Sequence, residues 1–380
     1  MFLFQSFNTL YTQEVKYPKN FDLVLKNSDS NLVDPIYIDG AATGIGAQNW
    51  TWAKSQPWCS GEGTWHKPYI IRNITIDAKA LDNCITIINS DVHFMIQNCT
   101  LFNASSASYK AAIHLDHVNN SVILENNCSN NGHNGIIFYE SCYNNTIKGN
   151  IIHENVGSGI SIRDSSLNNT VRDNWIANST GVFGVYFLQS HYSKFINNTV
   201  EGCSAGIRVH ATEYTKVINN TFKSNEVGIS LRHGNYAKIT QNKITSSSSH
   251  GIFSDTTAQC EIHHNHIFDT TYDGIRLIDN SRYNEIYSNE IKNSSRYGAH
   301  IDDTNVHNNT FYENHFIDNN ENAYDDGTDN YWDNGIIGNY WDDYKGSDLN
   351  FDSIGDDPYD INGTANNQDA YPICNNHIID

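Results

Sequence analysis

Apolar and polar residues alternate along short stretches of this chain, and the alternation returns every 22 to 28 residues. In one stretch the apolar residues Ile160 and Ile162 alternate with the polar residues Ser161 and Arg163. A period of two over four or five residues is typical of a β-strand with one buried face. Each stretch opens with a small residue followed by an apolar one. The eleven openings are Cys84-Ile85, Ala112-Ile113, Gly135-Ile136, Gly159-Ile160, Gly184-Val185, Gly206-Ile207, Gly228-Ile229, Gly251-Ile252, Gly274-Ile275, Gly298-Ala299 and Ala323-Tyr324.

A second signature, apolar-x-x-Asn-x-apolar, keeps step with the first. One repeat cannot bury an apolar face alone, so repeats of this length indicate a stacked solenoid. Helical spacing does not continue through any repeat, whereas three short strands with turns fit its length. The pattern therefore predicts an all-β parallel β-helix of about 11 or more coils, with three short strands per coil and irregular caps at both ends. The repeated asparagines are Asn98, Asn126, Asn150, Asn174, Asn198, Asn220, Asn242, Asn265, Asn289, Asn314 and Asn339.

These asparagines are predicted to be structural. At a tight corner the side-chain amide can bond the equivalent residue in the coils above and below, which forms a ladder. The eight cysteines show no metal-binding spacing and are expected to replace inward aliphatic residues. A disulfide between Cys84 and Cys99 is left open.

The repeat divides the chain into three parts. Residues 1–67 are predicted to be an N-terminal segment with an aromatic cap, 68–330 the β-helix, and 331–380 an acidic and aromatic C-terminal cap. The first ten residues are apolar but lack a basic leader and a small-residue cleavage site, so no signal peptide is evident. No apolar run is long enough for a transmembrane helix.

The net charge of the chain limits the classes of molecule that it can bind. The formal net charge is −20, and phosphate binding needs a basic surface, so nucleic acid is excluded as the main partner. Anionic membrane surfaces are excluded for the same reason.

The chain resembles the NosD-type periplasmic proteins and the carbohydrate-binding or sugar-hydrolase (CASH) domains, which are right-handed single-stranded parallel β-helices. The resemblance is carried by the closing run at Gly338–Tyr344, Asp348–Pro358 and Tyr371–Ile373, and by the opening run at Pro68–Ala78. It implies an extracellular, periplasmic or cell-surface protein that binds or acts on polysaccharides. The copper role of NosD itself is not carried over, because the chain has two methionines and no Met/His or Cys/His copper constellation.

One outward face of the predicted sheets gathers positive charge. Residues two and four positions after each opening must point away from the core. Four of the eight arginines of the chain fall at these positions, with aromatic residues between them. Guanidinium groups match carboxylates or sulfates, and aromatic rings stack on sugars, so this face is interpreted as a groove for an anionic polysaccharide. The alternative is a face that collects such residues for solubility and cross-strand packing. The predicted substrate-binding residues are Arg163, Tyr186, Arg208, His210, Phe253 and Arg276.

Catalysis on the same face is a further hypothesis. Asp255 and Asp302 lie two coils apart, about 9 to 10 Å by strand spacing, which approaches the separation in inverting glycosidases. His300 could serve as acid or base. A polysaccharide lyase instead needs a base and a cation that neutralises the uronate, for which Arg232 is a candidate. The alternative is that the aspartates cap strand ends.

A metal site is predicted near the C-terminus. The run from Asp348 to Asp356 spaces oxygen ligands like the first half of a calcium loop, but it lacks the glutamate at position 12. The alternative is an Asx-rich turn. The predicted ligands are Asp348, Asn350, Asp352, Ile354 and Asp356, and the predicted cofactor is Ca²⁺.

Two functional classes follow from the sequence. The first is a surface β-helix that binds, and in one version cleaves, an acidic polysaccharide as a lyase or glycoside hydrolase. The second is a non-catalytic structural protein, adhesin or NosD-type accessory protein.

Overall fold

A computed structural model describes residues 32–374 with the exception of residues 180 and 182. The chain winds into a parallel β-helix of about eleven turns, which confirms the predicted all-β fold. The predicted absence of a signal peptide concerns the first ten residues, which lie outside the described part. Among the described residues, no helix has the length and apolarity needed to cross a membrane.

Three sheets of twelve strands form the walls of the solenoid. Sheet I contains Ile36–Asp39, Ile85–Ser90, Ala111–Val118, Asn134–Tyr139, Ile160–Arg163, Phe183–Leu188, Ala205–His210, Val227–Arg232, Ile252–Asp255, Ile275–Ile278, Tyr297–Ile301 and Glu321–Asp325. Sheet II contains Cys59–Ser60, Tyr69–Arg72, Phe94–Gln97, Ser121–Leu124, Thr146–Lys148, Thr170–Arg172, Lys194–Ile196, Lys216–Ile218, Lys238–Thr240, Glu261–His263, Glu285–Tyr287 and Thr310–Tyr312. Sheet III contains Thr75–Asp77, Thr100–Phe102, Asn127–Cys128, Ile151–His153, Trp175–Ala177, Thr199–Glu201, Thr221–Lys223, Lys243–Thr245, His266–Phe268, Glu290–Lys292, His315–Ile317 and Tyr340–Trp341.

The sheets extend further than the predicted boundaries of 68 and 330. Ile36–Asp39 pairs in parallel with Ile85–Ser90, so sheet I begins before the repeat is visible in the sequence. The insertion between these strands contains the short helix Trp50–Lys54 and the antiparallel strand Cys59–Ser60. At the other end, sheet III closes with Tyr340–Trp341. The remaining strands, Tyr359–Asp360 and Gln368–Asp369, form a small antiparallel pair.

Close stacking of the coils explains the small residue at each opening. A Cβ atom on Gly206 would lie 2.4 Å from Cδ1 of Phe222 and 2.6 Å from the carbonyl oxygen of Gly228 in the next coil. The following residue, Ile207, pairs with Val185 and Ile229 in the adjacent coils, and all three are fully buried. The opening signature therefore marks the entry of each coil into the core.

The repeated asparagines form a buried ladder at the corner between sheets II and III. The backbone N–H and the side-chain amide of Asn174 both donate to Oδ1 of Asn198, each at 2.9 Å. The same amide donates to the carbonyl oxygen of Ile147 in the preceding coil at 3.0 Å. The predicted structural role is confirmed for ten members: Asn126, Asn150, Asn174, Asn198, Asn220, Asn242, Asn265, Asn289, Asn314 and Asn339.

Asn98 has a structural role too, but one position before the buried ladder: its side-chain amide donates to Oδ1 of Asn73 in the preceding coil at 2.8 Å. Cys99 occupies the ladder position, and its backbone N–H donates to Oδ1 of Asn126 at 3.0 Å. Asn98 lies in the preceding left-handed position, with φ of 52°. Asparagine tolerates this conformation as well as the ladder position, and both positions carry it at residues 197–198. The sequence signature cannot separate the two roles.

The eight cysteines are all free, so Cys84 and Cys99 do not pair. Both are buried, and burial raises the pKa of the Cys84 thiol to about 12 and that of Cys99 to about 11. The expected role as small core residues fits seven of the eight, since Cys374 is partly exposed.

We expect Asn198→Ala to lower the free energy of unfolding by several kcal/mol. The change removes the acceptor of the buried backbone N–H of Asn174, and it also removes the amide that donates to the carbonyl oxygens of Val171 and Ile196. Each buried group left unpaired costs about 1–3 kcal/mol. Guanidinium chloride denaturation followed by circular dichroism measures the change. Asn305→Ala, at an exposed position, is the matched control and should unfold like the parent protein. Equal midpoints for the two variants would show that the ladder contributes nothing to stability.

Candidate functional site

The outer face of sheet I holds the residues that the sequence singled out for binding and catalysis. The strand register places Tyr186 beside Arg208, His210 beside Arg232, and Arg232 beside Asp255. Phe253, Arg276 and His300 follow one another in successive coils. Arg163 lies at the N-terminal side of this set, and Asp302 directly follows the strand Tyr297–Ile301. The structure thus places all ten residues along one wall, while their roles in binding and catalysis stay predictions.

Arg208 lies at the centre of this face and lacks an acidic partner. Its guanidinium packs over the ring of Phe183 at 4.3 Å, and its Nε atom is buried without a hydrogen bond. Within the described residues it forms no ion pair. Burial, followed by the charge of Arg232, lowers the pKa of Arg208. Beside it, the hydroxyl of Tyr186 lies 3.0 Å from Nδ1 of His210.

Arg232 in the next coil is paired. Its Nη1 atom lies 3.2 Å from Oδ2 of the buried Asp255, and its guanidinium lies over the ring of Phe253 at 5.2 Å. Desolvation and the neighbouring carboxylate of Asp255 raise the pKa of Asp279. Asp255 therefore takes part in a local charge cluster with Arg232 and Asp279.

Arg163 is compensated separately from the other arginines. Its Nε atom donates to Asp164 at 2.8 Å, and its guanidinium packs over the ring of Tyr109 at 4.8 Å. The strands Phe183–Leu188 and Ala205–His210 lie between the strand of Arg163 and that of Arg232. The positive face is therefore strongest around Arg208.

A second cluster is built around the fully buried Asp273. Oδ2 of Asp273 lies 3.2 Å from Nδ1 of His300 and 3.4 Å from Nδ1 of His250. Burial alone would raise the pKa of Asp273, but the interactions with His250 and His300 outweigh burial and hold the pKa below its usual range. His300 Nε2 lies 3.3 Å from Oδ1 of Asp302, and Arg276 donates to the other oxygen of Asp302.

The four predicted catalytic residues fall into two clusters. Asp302 and His300 share one cluster, and Asp255 and Arg232 share the other. Ile278 separates Asp255 from the coil of Asp302, as the two-coil spacing requires. Arg276, which was predicted to bind substrate, belongs to the Asp273 cluster together with Asp302 and His300.

An open cleft of about 500 Å³ adjoins the Asp273 cluster. His250 and Arg276 belong to both the cleft and the cluster, and Tyr272 and Arg296 stand at the cleft surface. The lining is completed by Glu226, Ser248 and Ser249. Positive, aromatic and titratable side chains thus surround a space large enough for one sugar unit.

The sequence prediction missed His250, Asp273, Tyr272 and Arg296. They occupy the two positions before the opening small residues Gly251, Gly274 and Gly298, whereas only positions after the opening were considered. A signal existed, because the position directly before the opening is mostly Asn, Ser, Ala or another small or apolar residue. His250, Asp273 and Tyr297 break that pattern in three consecutive coils.

The predicted calcium loop is held by its own hydrogen bonds. Oδ1 of Asp348 accepts the backbone N–H of Asp352 at 3.2 Å, and Oδ1 of Asp352 accepts that of Ile354 at 2.9 Å. Oδ2 of Asp356 accepts the backbone N–H of Leu349 at 2.6 Å, and the amide of Asn350 donates to Asp352. These contacts are those of an Asx-rich turn, and calcium binding by the loop stays a prediction.

Comparison with known proteins supports the architecture. A family model described as periplasmic copper-binding protein (NosD) matches residues 67–245 and 184–346. The GH136 lacto-N-biosidase of Eubacterium ramulus superposes with a TM-score of 0.55 at 11% identity, over 80% of this chain and 67% of that one. The A-module of mannuronan C-5 epimerase AlgE4 from Azotobacter vinelandii gives 0.47 at 14% identity, over 70% and 84%. No curated protein matches the sequence significantly. At 11% identity the lacto-N-biosidase shows the fold alone.

We expect calcium to raise the melting temperature if the loop from Asp348 to Asp356 binds it. A ligand present at about a hundredfold over its dissociation constant stabilises by about 2.7 kcal/mol. Differential scanning fluorimetry in calcium and in EDTA measures the shift. Asp348→Asn should abolish the calcium-dependent shift, while the exposed control Asp91→Asn should keep it. Identical melting curves of the parent protein with and without calcium would leave the loop a purely hydrogen-bonded turn.

Proposed function

This chain belongs to the NosD family of periplasmic copper-binding proteins, and we propose that it binds an acidic polysaccharide along the outer face of sheet I. The family is periplasmic, which fits a protein that meets polysaccharides outside the cytoplasm. The observation that carries the proposal is the guanidinium of Arg208, whose buried Nε atom has no hydrogen-bond partner and which forms no ion pair within the described residues, in a chain of net charge −20.

The surroundings of Arg208 favour the binding of an anion. It is half-buried against Phe183, its Nε atom has no hydrogen-bond partner, and Arg232 lies nearby. A carboxylate or sulfate that accepted hydrogen bonds from Arg208 would satisfy the buried donor and relieve the repulsion between the two arginines. Such a gain is larger here than for an exposed arginine, because buried donors without partners are costly.

The neighbouring side chains suit a sugar polymer. Phe183, Tyr186 and Phe253 lie next to the arginines, and the Tyr186 hydroxyl and His210 supply polar groups. Successive coils are spaced by about 4.8 Å, so an extended chain that crosses several coils meets Arg208, Arg232 and Arg276 in turn. The proposal rests on these contacts, and the enzymes that share the fold lend no activity to this chain.

A copper-related accessory role is the second candidate, because the family description names copper. Copper(I) favours thiolate and thioether ligands. Seven of the eight cysteines are buried in the core, and Met95 is the one methionine in the described part of the chain, so a copper(I) site does not fit. Within the described residues, three histidine, cysteine or carboxylate ligand atoms lie within 4.8 Å of one another only at Asp116, His117 and Glu140, a group with one imidazole and no sulfur. We therefore assign no copper site.

We expect Arg208→Ala to weaken binding to polygalacturonate about tenfold or more. A hydrogen bond to a charged group contributes about 1.5–3 kcal/mol, and 1.4 kcal/mol corresponds to a factor of ten. Isothermal titration calorimetry or affinity electrophoresis measures the change. The matched control is Arg172→Ala on sheet II, where Arg172 is already paired with Asp173 at 2.9 Å.

Binding should also weaken as salt increases, since the contact is between charges. A neutral polymer such as dextran should not bind. If alginate, polygalacturonate and a sulfated glycan are all left unbound, or if Arg208→Ala binds them like Arg172→Ala, the groove on sheet I is wrong.

A further inference from the structure

The cluster around Asp273 has features that a purely structural group does not need. Asp273 is fully buried, yet one of its carboxylate oxygens has no hydrogen-bond partner within the described structure. The other oxygen faces two imidazoles, those of His250 and His300. A buried carboxylate that holds imidazoles is the arrangement by which enzymes fix the tautomer and orientation of a histidine base.

The hydrogen-bond network assigns the tautomer of His250. Arg276 Nη1 lies 3.3 Å from His250 Nε2, and because an arginine can only donate, Nε2 must accept. The proton of the neutral ring therefore sits on Nδ1, which faces Asp273 Oδ2 at 3.4 Å, an ion-pair distance without a formed hydrogen bond. The lone pair of Nε2 points toward Arg276 at the cleft, where a substrate can replace that contact.

The cleft supplies the other groups that a proton abstraction needs. Arg276, Arg296 and Glu226 line it. Arg276 is already paired with Asp302, whereas Arg296 forms no ion pair within the described residues and can neutralise a sugar carboxylate. Tyr272 is half-exposed at the same cleft, with its ring centroid 6.0 Å from that of His250. Arg296 is itself held over the ring of Tyr297 at 4.7 Å. A base, two cations and a proton donor thus surround one space.

We propose that this cleft binds a uronate unit of the polysaccharide and cleaves the chain by β-elimination, with His250 as the base and Asp273 as the residue that positions it. This inference rests on the proposed binding of an acidic polysaccharide. It goes further by assigning an activity to a site that does not include Arg208.

The step balances without a further reactant. His250 Nε2 takes the proton from C5 of the uronate, whose acidity rises as Arg296 neutralises the carboxylate. The electron pair of the C5–H bond forms the C4–C5 double bond, and the bond between C4 and the glycosidic oxygen breaks. Tyr272 gives its hydroxyl proton to the leaving oxygen, and water returns the proton from His250 to Tyr272 between turnovers.

The test is the ultraviolet absorbance of the unsaturated product formed from polygalacturonate, alginate and glucuronan. At least one of the three is expected to give product with the parent protein. His250→Ala should lower the rate by a factor of about 100 to 10,000, the usual contribution of a general base. His266→Ala, on sheet III, is the matched control and should leave the rate unchanged.

Asp273→Asn tests the positioning role. It should lower kcat more than it changes KM, and it should move the ¹⁵N shifts of His250 away from those of the Nδ1–H tautomer. Circular dichroism checks that the variants are folded. An Asp273→Asn protein that keeps both the rate and the ¹⁵N shifts would remove Asp273 from the mechanism.

The outcomes separate this inference from the proposed binding function. If the parent protein binds polygalacturonate through Arg208 but forms no unsaturated product from any of the three polymers, the elimination is wrong and the binding function stands. If His250→Ala turns over like the parent protein, His250 is not the base. If no polymer binds at all, the proposed function itself fails.

Discussion

Stacking of identical turns is the constraint on which the rest of this structure depends. Each coil must meet the next at strand spacing, so a small residue is needed where the chain enters the core, as at Gly206 against Phe222 and Gly228. The corner asparagines bond both neighbouring coils from inside, as Asn174 does with Asn198 and Ile147. These two demands repeat at every turn and leave the outward positions of the sheets free to vary.

Because the outward positions can vary, one sheet can carry a set of functional side chains. Sheet I carries Arg208 without an acidic partner, and Arg232 with Asp255 in the next coil. The same stacking places His250 and Asp273 in adjacent coils, so that a buried carboxylate can orient an imidazole at the edge of a cleft.

The residues that the sequence predicted as one catalytic set lie in two separate clusters in the structure. Asp255 and Asp302 were paired as catalytic carboxylates from their spacing along the coils. In the structure Asp255 forms an ion pair with Arg232 and Asp302 forms one with Arg276, and their catalytic role stays a prediction. The unusual residues of the second cluster lie before the opening glycines, where the chain leaves the loop and enters sheet I.

The sequence by itself determined the parallel β-helix, the inward and outward faces of each strand and the alignment of the arginines on one wall. These follow from periodicity, since every turn of a stacked solenoid repeats the same geometry. It did not determine the first coil at Ile36–Asp39, where an insertion interrupts the repeat, or that Cys99 rather than Asn98 occupies the ladder position. Only the tertiary structure decided which arginine lacks a partner and which imidazoles share Asp273. Those contacts depend on side-chain rotamers and loop paths between coils, which the repeat leaves unspecified.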